Sequence, residues 1–360
     1  MDSRERMMRA LCLQESDRVP IAEYVIDLKF YQELTGKVPS LVPETFAEDL
    51  RLTHQAYKKL GYDSISVYGV EPRIEKEKFI DHDTYIDNWG AIRRKVEVPT
   101  IEAHYIDGSI RTTEEFDNFE PPSADEMVEA VKSAEKVLSE IREDTFVVAI
   151  GLEGFHIHLL MRGFERALSD YYLNPQIPEK VMNMVHAYDM TILKAMADIG
   201  VDAVMLDDDY ADSKSLMIPP KLWRKFVKPT HDDFIRTFKK KGLFVMQHSD
   251  GNIAPILDDI VDSGVDALNP VQPQAMDIAW VKEHCGDKIC IIGNVDCGYT
   301  LTHGTEAEIR QATRECIDNT SYGGGHILSS SNSLHWAVPL ENALTMIDEG
   351  EKYGRYPIRN

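Results

Sequence analysis

Gly242-Leu243-Phe244-Val245-Met246-Gln247-His248-Ser249-Asp250-Gly251-Asn252 decides how the rest of the chain is read. Leu243 to Met246 is a short apolar run of the kind that forms a buried strand. It stops abruptly in Gln, His, Ser and Asp, turns at Gly251, and gives way to a helical pattern over Ile253 to Val261. Strand, polar tip, glycine and helix is how α/β proteins present chemistry at the carboxyl end of a strand.

Outward from that stretch the same alternation recurs. Strands are predicted at Val19–Val25, Ser64–Tyr68, Phe146–Gly151, Ala203–Leu206, Phe244–Gln247, Ala267–Asn269, Ile289–Ile292 and His326–Leu328. Helical periodicity covers 1–17, 43–60, 157–171, 178–199, 219–240, 253–263, 276–284, 305–318 and 340–352. A further helix carries Met127, Ala130, Val131, Ala134, Val137, Leu138 and Ile141, and Ser123 and Glu126 have the spacing of a capping box at its start. About eight strands separated by helices is the pattern of a closed parallel (β/α)8 barrel. Residues 71–122 break the rhythm: Ile92–Val98 alternates like an exposed strand, so this region reads as a β-hairpin excursion on one barrel domain spanning 1–360. No internal repeat or long linker stands out.

The bulk numbers exclude several classes. A net charge of −22 without a basic block argues against nucleic acid. Lys239-Lys240-Lys241 falls at a helix end, where cations suit the dipole. No apolar run approaches the ~18 residues of a membrane helix, so no membrane is expected. Nothing behind Met1-Asp2-Ser3-Arg4-Glu5-Arg6 resembles a signal-peptide core. Five cysteines without a Cys-x-x-Cys point to reduced thiols in a cytoplasm.

Read at the strand ends, the chain delivers Glu153, His156 and His158; Asp207, Asp208, Asp209 and Tyr210; His248 and Asp250; Asn269 and Gln272; Asn294 and Asp296; and Ser329 to Asn332. Near the first strand, Glu23 or Asp27 could face the same site. Such a concentration of carboxylates and histidines is what a catalytic or metal site requires. His248 is a metal ligand, a general base or a hydrogen-bonded strand-end histidine. Asp250 lies two residues on and can join it on one divalent ion, or cap the helix near Ile253. Asp207-Asp208-Asp209 can turn alternate carboxylates inward, with Tyr210 donating to a substrate, or can form a solvated acidic loop. Gly323-Gly324-Gly325 precedes a strand and is therefore not a dinucleotide fingerprint.

These motifs resemble the uroporphyrinogen decarboxylase superfamily. The resemblance is carried by His248-Ser249-Asp250-Gly251-Asn252, Asp266-Ala267-Leu268-Asn269-Pro270-Val271-Gln272-Pro273, Gly293-Asn294-Val295-Asp296, Gly323 to Ser330, and Pro339-Leu340-Glu341-Asn342. It covers most of the chain and implies a (β/α)8 barrel. Porphyrinogen decarboxylases of the superfamily carry an arginine-rich segment after the first strand. Here Glu23 to Tyr31 contains no arginine, which points to the other branch, the cobalamin-dependent methyltransferases. Thiol-methylating members hold zinc with His-x-Cys and a later cysteine. His248 matches that histidine, Asp250 replaces the first cysteine, and Ser329 to Ser331 offers no later one. An oxygen-rich site suits an ether or alcohol oxygen better than a thiol.

The resemblance therefore implies a methyltransferase that moves a methyl group from a small methoxylated, aromatic substrate to cobalamin carried on a corrinoid protein. Zinc at His248 and Asp250, or an acid such as Tyr210, would stabilise the leaving phenolate. Tyr210, Asp207 and Asn294 are the candidate catalytic groups. Glu153, His156, Asn269, Gln272 and Ser330 are the candidate substrate contacts. Glu120, Glu135 and His156 also match the Glu-x14-Glu-x20-His zinc pattern of O-demethylase methyltransferases, although Glu135 reads as a solvated helix-face residue. The partners implied are a small-molecule methyl donor and a corrinoid protein, with a homodimer as an open expectation. The alternatives are a decarboxylase-type lyase acting on a small carboxylic acid and a non-catalytic binding barrel.

Overall fold

Seven of the predicted apolar runs pair side by side as parallel strands in the structure, a computed structural model that describes residues 1–68, 78–97 and 101–358. In chain order these are β1 (Ser64–Tyr68), then, after three strands of a smaller sheet, β5 (Phe146–Leu152), β6 (Ala203–Asp207), β7 (Phe244–His248), β8 (Ala267–Asn269), β9 (Cys290–Val295) and β10 (His326–Ser330). The smaller sheet is β2 (Thr84–Ile86), β3 (Ala91–Glu97) and β4 (Ile101–Gly108). Pairing runs β1-β5-β6-β7-β8-β9-β10, every neighbour parallel. Helices connect the strands, and the sheet curls.

The predicted first strand, Val19–Val25, is reduced to isolated bridges. Leu328 donates to the Pro20 carbonyl and accepts from the Ala22 amide on one side, while the Asp63 amide donates to Ile21 on the other. Pro20 has no N–H to give a ladder. The extended segment still fills the gap between β10 and β1, so it does the work of the eighth stave.

Side chains alternate as the period of two requires. Phe146, Val148, Ile150, Ala203, Met205, Met246, Cys290, Ile292 and Ile327 form one buried cluster inside the ring. Val147, Ala149, Val204, Leu206, Val245 and Ile291 face the helices instead. The opening helix, Ser3–Leu11, is shorter than the 1–17 predicted, and its Met7, Ala10 and Leu11 plug the amino-terminal end of the ring.

A three-residue element, Gly-x-Asp, starts three of the strands: Gly61-Tyr62-Asp63, Gly200-Val201-Asp202 and Gly264-Val265-Asp266. Each glycine ends the preceding helix with φ near +100° (94°, 104° and 95°), a region open to glycine. Each aspartate then accepts the amide of a neighbouring stave, from Ile21, Val147 and Val245 respectively.

Other helix boundaries shift for local reasons. The predicted 157–171 helix is two, Gly154–Arg162 and Phe164–Leu173, broken at Gly163, φ 81°. The 219–240 helix divides into Pro220–Phe226 and Lys228–Lys240, because Pro229 cannot continue the preceding turn. Ser123 forms no capping box: the helix starts at Asp125 with Ala124 before it, and the Ser123 hydroxyl donates to the Asp125 carboxylate. Asp27 lies outside the cavity around His248 and accepts the Lys29 amide at the start of an unpredicted helix, Leu28–Thr35.

The excursion is a three-stranded antiparallel sheet, β2-β3-β4, rather than a single hairpin; its predicted parts at 71–77 and 98–100 lie outside the described residues. It docks on the end of helix Gly154–Arg162. A Cβ on Gly108 would lie 2.3 Å from the Arg162 backbone, so only glycine permits this approach. Arg162 is bound bidentately by buried Asp170, at 2.8 and 3.1 Å, and donates to the Ile110 carbonyl. The Asp170 carboxyl is buried, but His158, Arg162 and Asn174 hold it down to about 2. No helix among the described residues is long and apolar enough to cross a membrane.

Candidate metal centre

Parallel register brings the key residues to one level. Leu152 pairs with Asp207, Asp207 with His248, and His248 with Asn269. The last residues of β6, β7 and β8 are therefore neighbours at the carboxyl end of the ring, as the (β/α)8 arrangement predicts for a functional face.

His248 is held on one ring face and at one nitrogen. Its Nδ1 lies 2.5 Å from Asn269 Oδ1, and its ring stacks on Tyr24 with centroids 3.8 Å apart and planes 12° from parallel. A donating Nδ1–H leaves the Nε2 lone pair free. That Nε2 faces Asp250 Oδ1 at 3.8 Å. Asp209 joins them: its Oδ1 accepts the Asp250 amide at 2.9 Å, and ligand atoms of Asp209, His248 and Asp250 all lie within 4.8 Å of one another. Asn332 donates to Asp250 Oδ2, while the buried Asp250 Oδ1 has no hydrogen-bond partner. The cavity they line measures about 190 Å³ and also touches Tyr24, Glu153, His156, Asp207 and Asn332.

The electrostatics are lopsided. Burial raises the Asp207 carboxyl, against the opposing pull of His248 and the Tyr24 hydroxyl, which donates to it at 2.5 Å. Burial, reinforced by Asp209 and Asp207, pushes Asp250 up to about 6. Burial alone would lower His248, but Asp207, Asp250 and Asp209 raise it. Among the described residues no lysine or arginine pairs with these carboxylates. Crowded anions, a free imidazole nitrogen and an orphaned carboxylate oxygen are a donor set that a divalent cation would satisfy. With two carboxylates and one imidazole, the set is harder than a thiolate site.

Of the other predicted residues, Asp207, Glu153 and His156 line this cavity, and Asn269 sits behind His248. The Asp triplet alternates: Asp207 and Asp209 face the cavity, while Asp208 turns back to accept the amides of Phe155 and His156 at 2.8 and 2.6 Å. Asp250 caps no helix; Asn252 accepts the Ala254 amide there instead. Gln272 Oε1 accepts the Gly251 amide and so braces the turn after Asp250.

Three candidates fall elsewhere. Tyr210 is fully buried, packed edge-on against Phe155 and Trp223, and its hydroxyl donates to Glu153 at 2.6 Å. Ser330 donates to Glu23 at 2.9 Å. Asn294 donates to the Val271 carbonyl and lines a separate cavity of about 400 Å³. His158 is buried 3.4 Å from Asp170, and Glu120 and Glu135 are exposed on the outside.

Asp209 and Asn332 were read from sequence only as strand-end residues, without a role of their own, and Tyr24 was not singled out. Asp209 was legible as the alternate partner of Asp207. Tyr24 and Asn332 reach His248 and Asp250 only through closure of the ring, which no local pattern encodes.

The whole chain also resembles known proteins. Residues 90–353 match the uroporphyrinogen decarboxylase (URO-D) family. The uroporphyrinogen decarboxylase of Actinobacillus succinogenes is 24% identical over 205 residues, 54% of this chain and 53% of that protein. The methylcobamide:CoM methyltransferase MtaA of Methanosarcina barkeri is 26% identical over 159 residues, 44% of each chain. The chain thus spans about half the length of these two curated relatives. MtbA of Methanosarcina mazei, another methylcobamide:CoM methyltransferase, is 21% identical over 97% of this chain and 98% of its own. A solved methyltransferase from Methanosarcina mazei superposes with a TM-score of 0.70 at 17% identity, covering 98% of this chain and 99% of that one, and so shares the fold. The chain belongs to the uroporphyrinogen decarboxylase (URO-D) family.

Proposed function

We propose that the protein is a methyltransferase that takes a methyl group from a small methoxylated substrate and passes it to cobalamin carried on a corrinoid protein, with zinc at Asp209, His248 and Asp250. The convergence of these three ligand groups, without a basic counter-charge among the described residues, is the observation that carries the reading. Relatives named as methylcobamide methyltransferases support the corrinoid partner.

A bound divalent ion would supply a Lewis acid for the oxygen that keeps the C–O bonding pair as the methyl group leaves. Asn269 fixes the His248 tautomer, and Tyr24 fixes the ring plane. Asp207 holds the Tyr24 hydroxyl in turn. On the cavity wall half-buried His156 is the residue best placed to meet substrate, with Glu153 behind it held by the Tyr210 hydroxyl. An arene is the substrate we favour, because the oxygen-rich donor set suits a phenolate leaving group better than a thiolate. All five cysteines are free, which supports a reducing cytoplasm.

The test is elemental analysis of the purified protein beside His248→Ala, followed by methyl donors with Co(I) corrinoid. About one zinc per chain, lost in the variant, is expected. No metal in either sample, even after zinc is added back, would remove the Lewis acid and advance a decarboxylase-type lyase or a binding barrel.

A further inference from the structure

A second cavity, about 420 Å³, opens beside the acidic one. It lies at the carboxyl end of β1, where Val25, Leu28, Val67 and Tyr68 form its floor and Phe46 and Leu50 cover it from helix Phe46–Leu60. Its volume falls within the ~300–1,000 Å³ of small-molecule pockets. Among the described residues no lysine or arginine lines it. Its two carboxylates are already committed: Asp27 accepts the Lys29 amide, and Asp49 accepts the Ser40 and Leu41 amides and the Thr45 hydroxyl.

A pair of tyrosines divides the two cavities. Tyr24 lines the acidic one and stacks on His248, while Tyr68 lines the apolar one. Their rings meet edge to face, centroids 5.9 Å apart. A ligand whose apolar end fills the larger cavity would present its polar end across this pair towards His248. Among the described residues of the apolar cavity a buried carboxylate would find no cation, and its lost hydration would go uncompensated.

We propose that this cavity is the specificity pocket for the substrate's apolar part. It would take an uncharged ring bearing the methylated oxygen and reject carboxylated analogues. The proposal rests on the methyltransferase reading for the identity of the reacting group, but its binding test does not.

Calorimetry on the full chain would compare 2-methoxyphenol with 4-methoxybenzoate, in the wild type and in two variants. Thr53→Phe fills the cavity from helix Phe46–Leu60, and Leu41→Asp places a charge at its rim, where Leu41 is 49% exposed and the fold is not at risk. The wild type should bind 2-methoxyphenol at least ~tenfold more tightly than the carboxylate, and each variant should lose ~tenfold or more of that affinity. Zinc content, measured on the same samples, should not change. Unaltered 2-methoxyphenol binding in both variants would overturn the pocket, as would a wild type that binds the ring no better than the carboxylate or not at all. Methyl transfer to Co(I) corrinoid from methanol but not from 2-methoxyphenol would also sink it, while sparing the methyltransferase reading. Ring binding lost in the variants, with no methyl transfer from any donor, would keep the pocket and remove the methyltransferase reading.

Discussion

The two ends of the parallel sheet carry carboxylates in opposite company. At the amino ends, Asp63 is bound by Arg6 and Arg18, Asp202 by Arg4 and Arg142, and Asp266 by Lys239. At the carboxyl ends, Asp207, Asp209 and Asp250 meet a tyrosine hydroxyl, a backbone amide and an asparagine amide, with no arginine or lysine paired to them among the described residues. The first set ties staves together and neutralises its own charge. The second leaves charge unbalanced around His248. One end is built for cohesion, the other to receive a cation, as expected where the amino-terminal face of a barrel serves stability and the other face chemistry.

The largest effect should come from breaking the paired end. Asp202→Ala leaves two arginines and the Val147 amide without their shared acceptor. We expect a loss of about 4 kcal/mol in urea unfolding. Asp209→Asn, at the unpaired end, should be neutral or stabilising in metal-free protein, because it removes one of several crowded charges. Equal losses in the two variants would erase the contrast.

Next in size is a pH effect between the two ends. Buried Glu23, held by Ser329, Ser330 and the Tyr24 amide, has its carboxyl pushed by burial from an ordinary 4.5 up to about 7. Between those values the folded state holds the proton more tightly than the unfolded one. Stability from this group is therefore full below about 4.5 and is lost as pH rises through 7, by about 3 kcal/mol in all. Glu23→Gln should flatten that part of the stability–pH curve. A slope unchanged by the substitution would show that Glu23 is already ionised at neutral pH.

The cation itself provides the third test. Zinc at about 100 times its dissociation constant should stabilise the wild type by ~2.7 kcal/mol through binding the folded state alone. Asp209→Asn and Asp250→Asn should each abolish most of this gain, whereas Lys239→Met at the other end should retain it. A gain that survives in both aspartate variants would place any bound ion elsewhere.

How much of this could be read beforehand follows from what is local. Leu243 to Asp250 announced strand, tip and turn, because period-two burial and Gly251 are written in adjacent residues. A Cβ on Gly251 would lie 2.5 Å from the Asp212 carbonyl, so that glycine is required. His248, Asp250 and Asp207 were legible as strand-end groups for the same reason. Tyr210 was misjudged because its place just after β6 says nothing of Glu153, which claims its hydroxyl from another strand. Ser330 was likewise drawn to Glu23, 307 residues earlier in the chain. Asn294 lies at a strand end but beside helix Glu306–Thr320, where its backbone amide donates to Cys316 Sγ. The Gly-x-Asp starts were visible as text, yet their meaning depends on the amide of a neighbouring stave.

The smallest effect sharpens the comparison within the paired end. Asp266 repeats the role of Asp202, accepting the Val245 amide at 2.8 Å, but its cation is a single lysine at 2.6 Å whose side chain is 42% exposed. Solvent screens such a pair, and holding a long side chain costs entropy, so exposed ion pairs contribute ~0–1 kcal/mol. Lys239→Met should therefore cost less than about 1 kcal/mol, and the cost should shrink in high salt as the Debye length contracts. Asp266→Asn should cost more, because the Val245 amide loses a charged acceptor rather than an exposed partner. If Lys239→Met instead matched Asp202→Ala, cohesion at this end would come from neutralised charge rather than from the amide tie. The unbalanced charge around His248 would then be a graver burden on the fold than the geometry suggests, and a bound cation correspondingly more important to it.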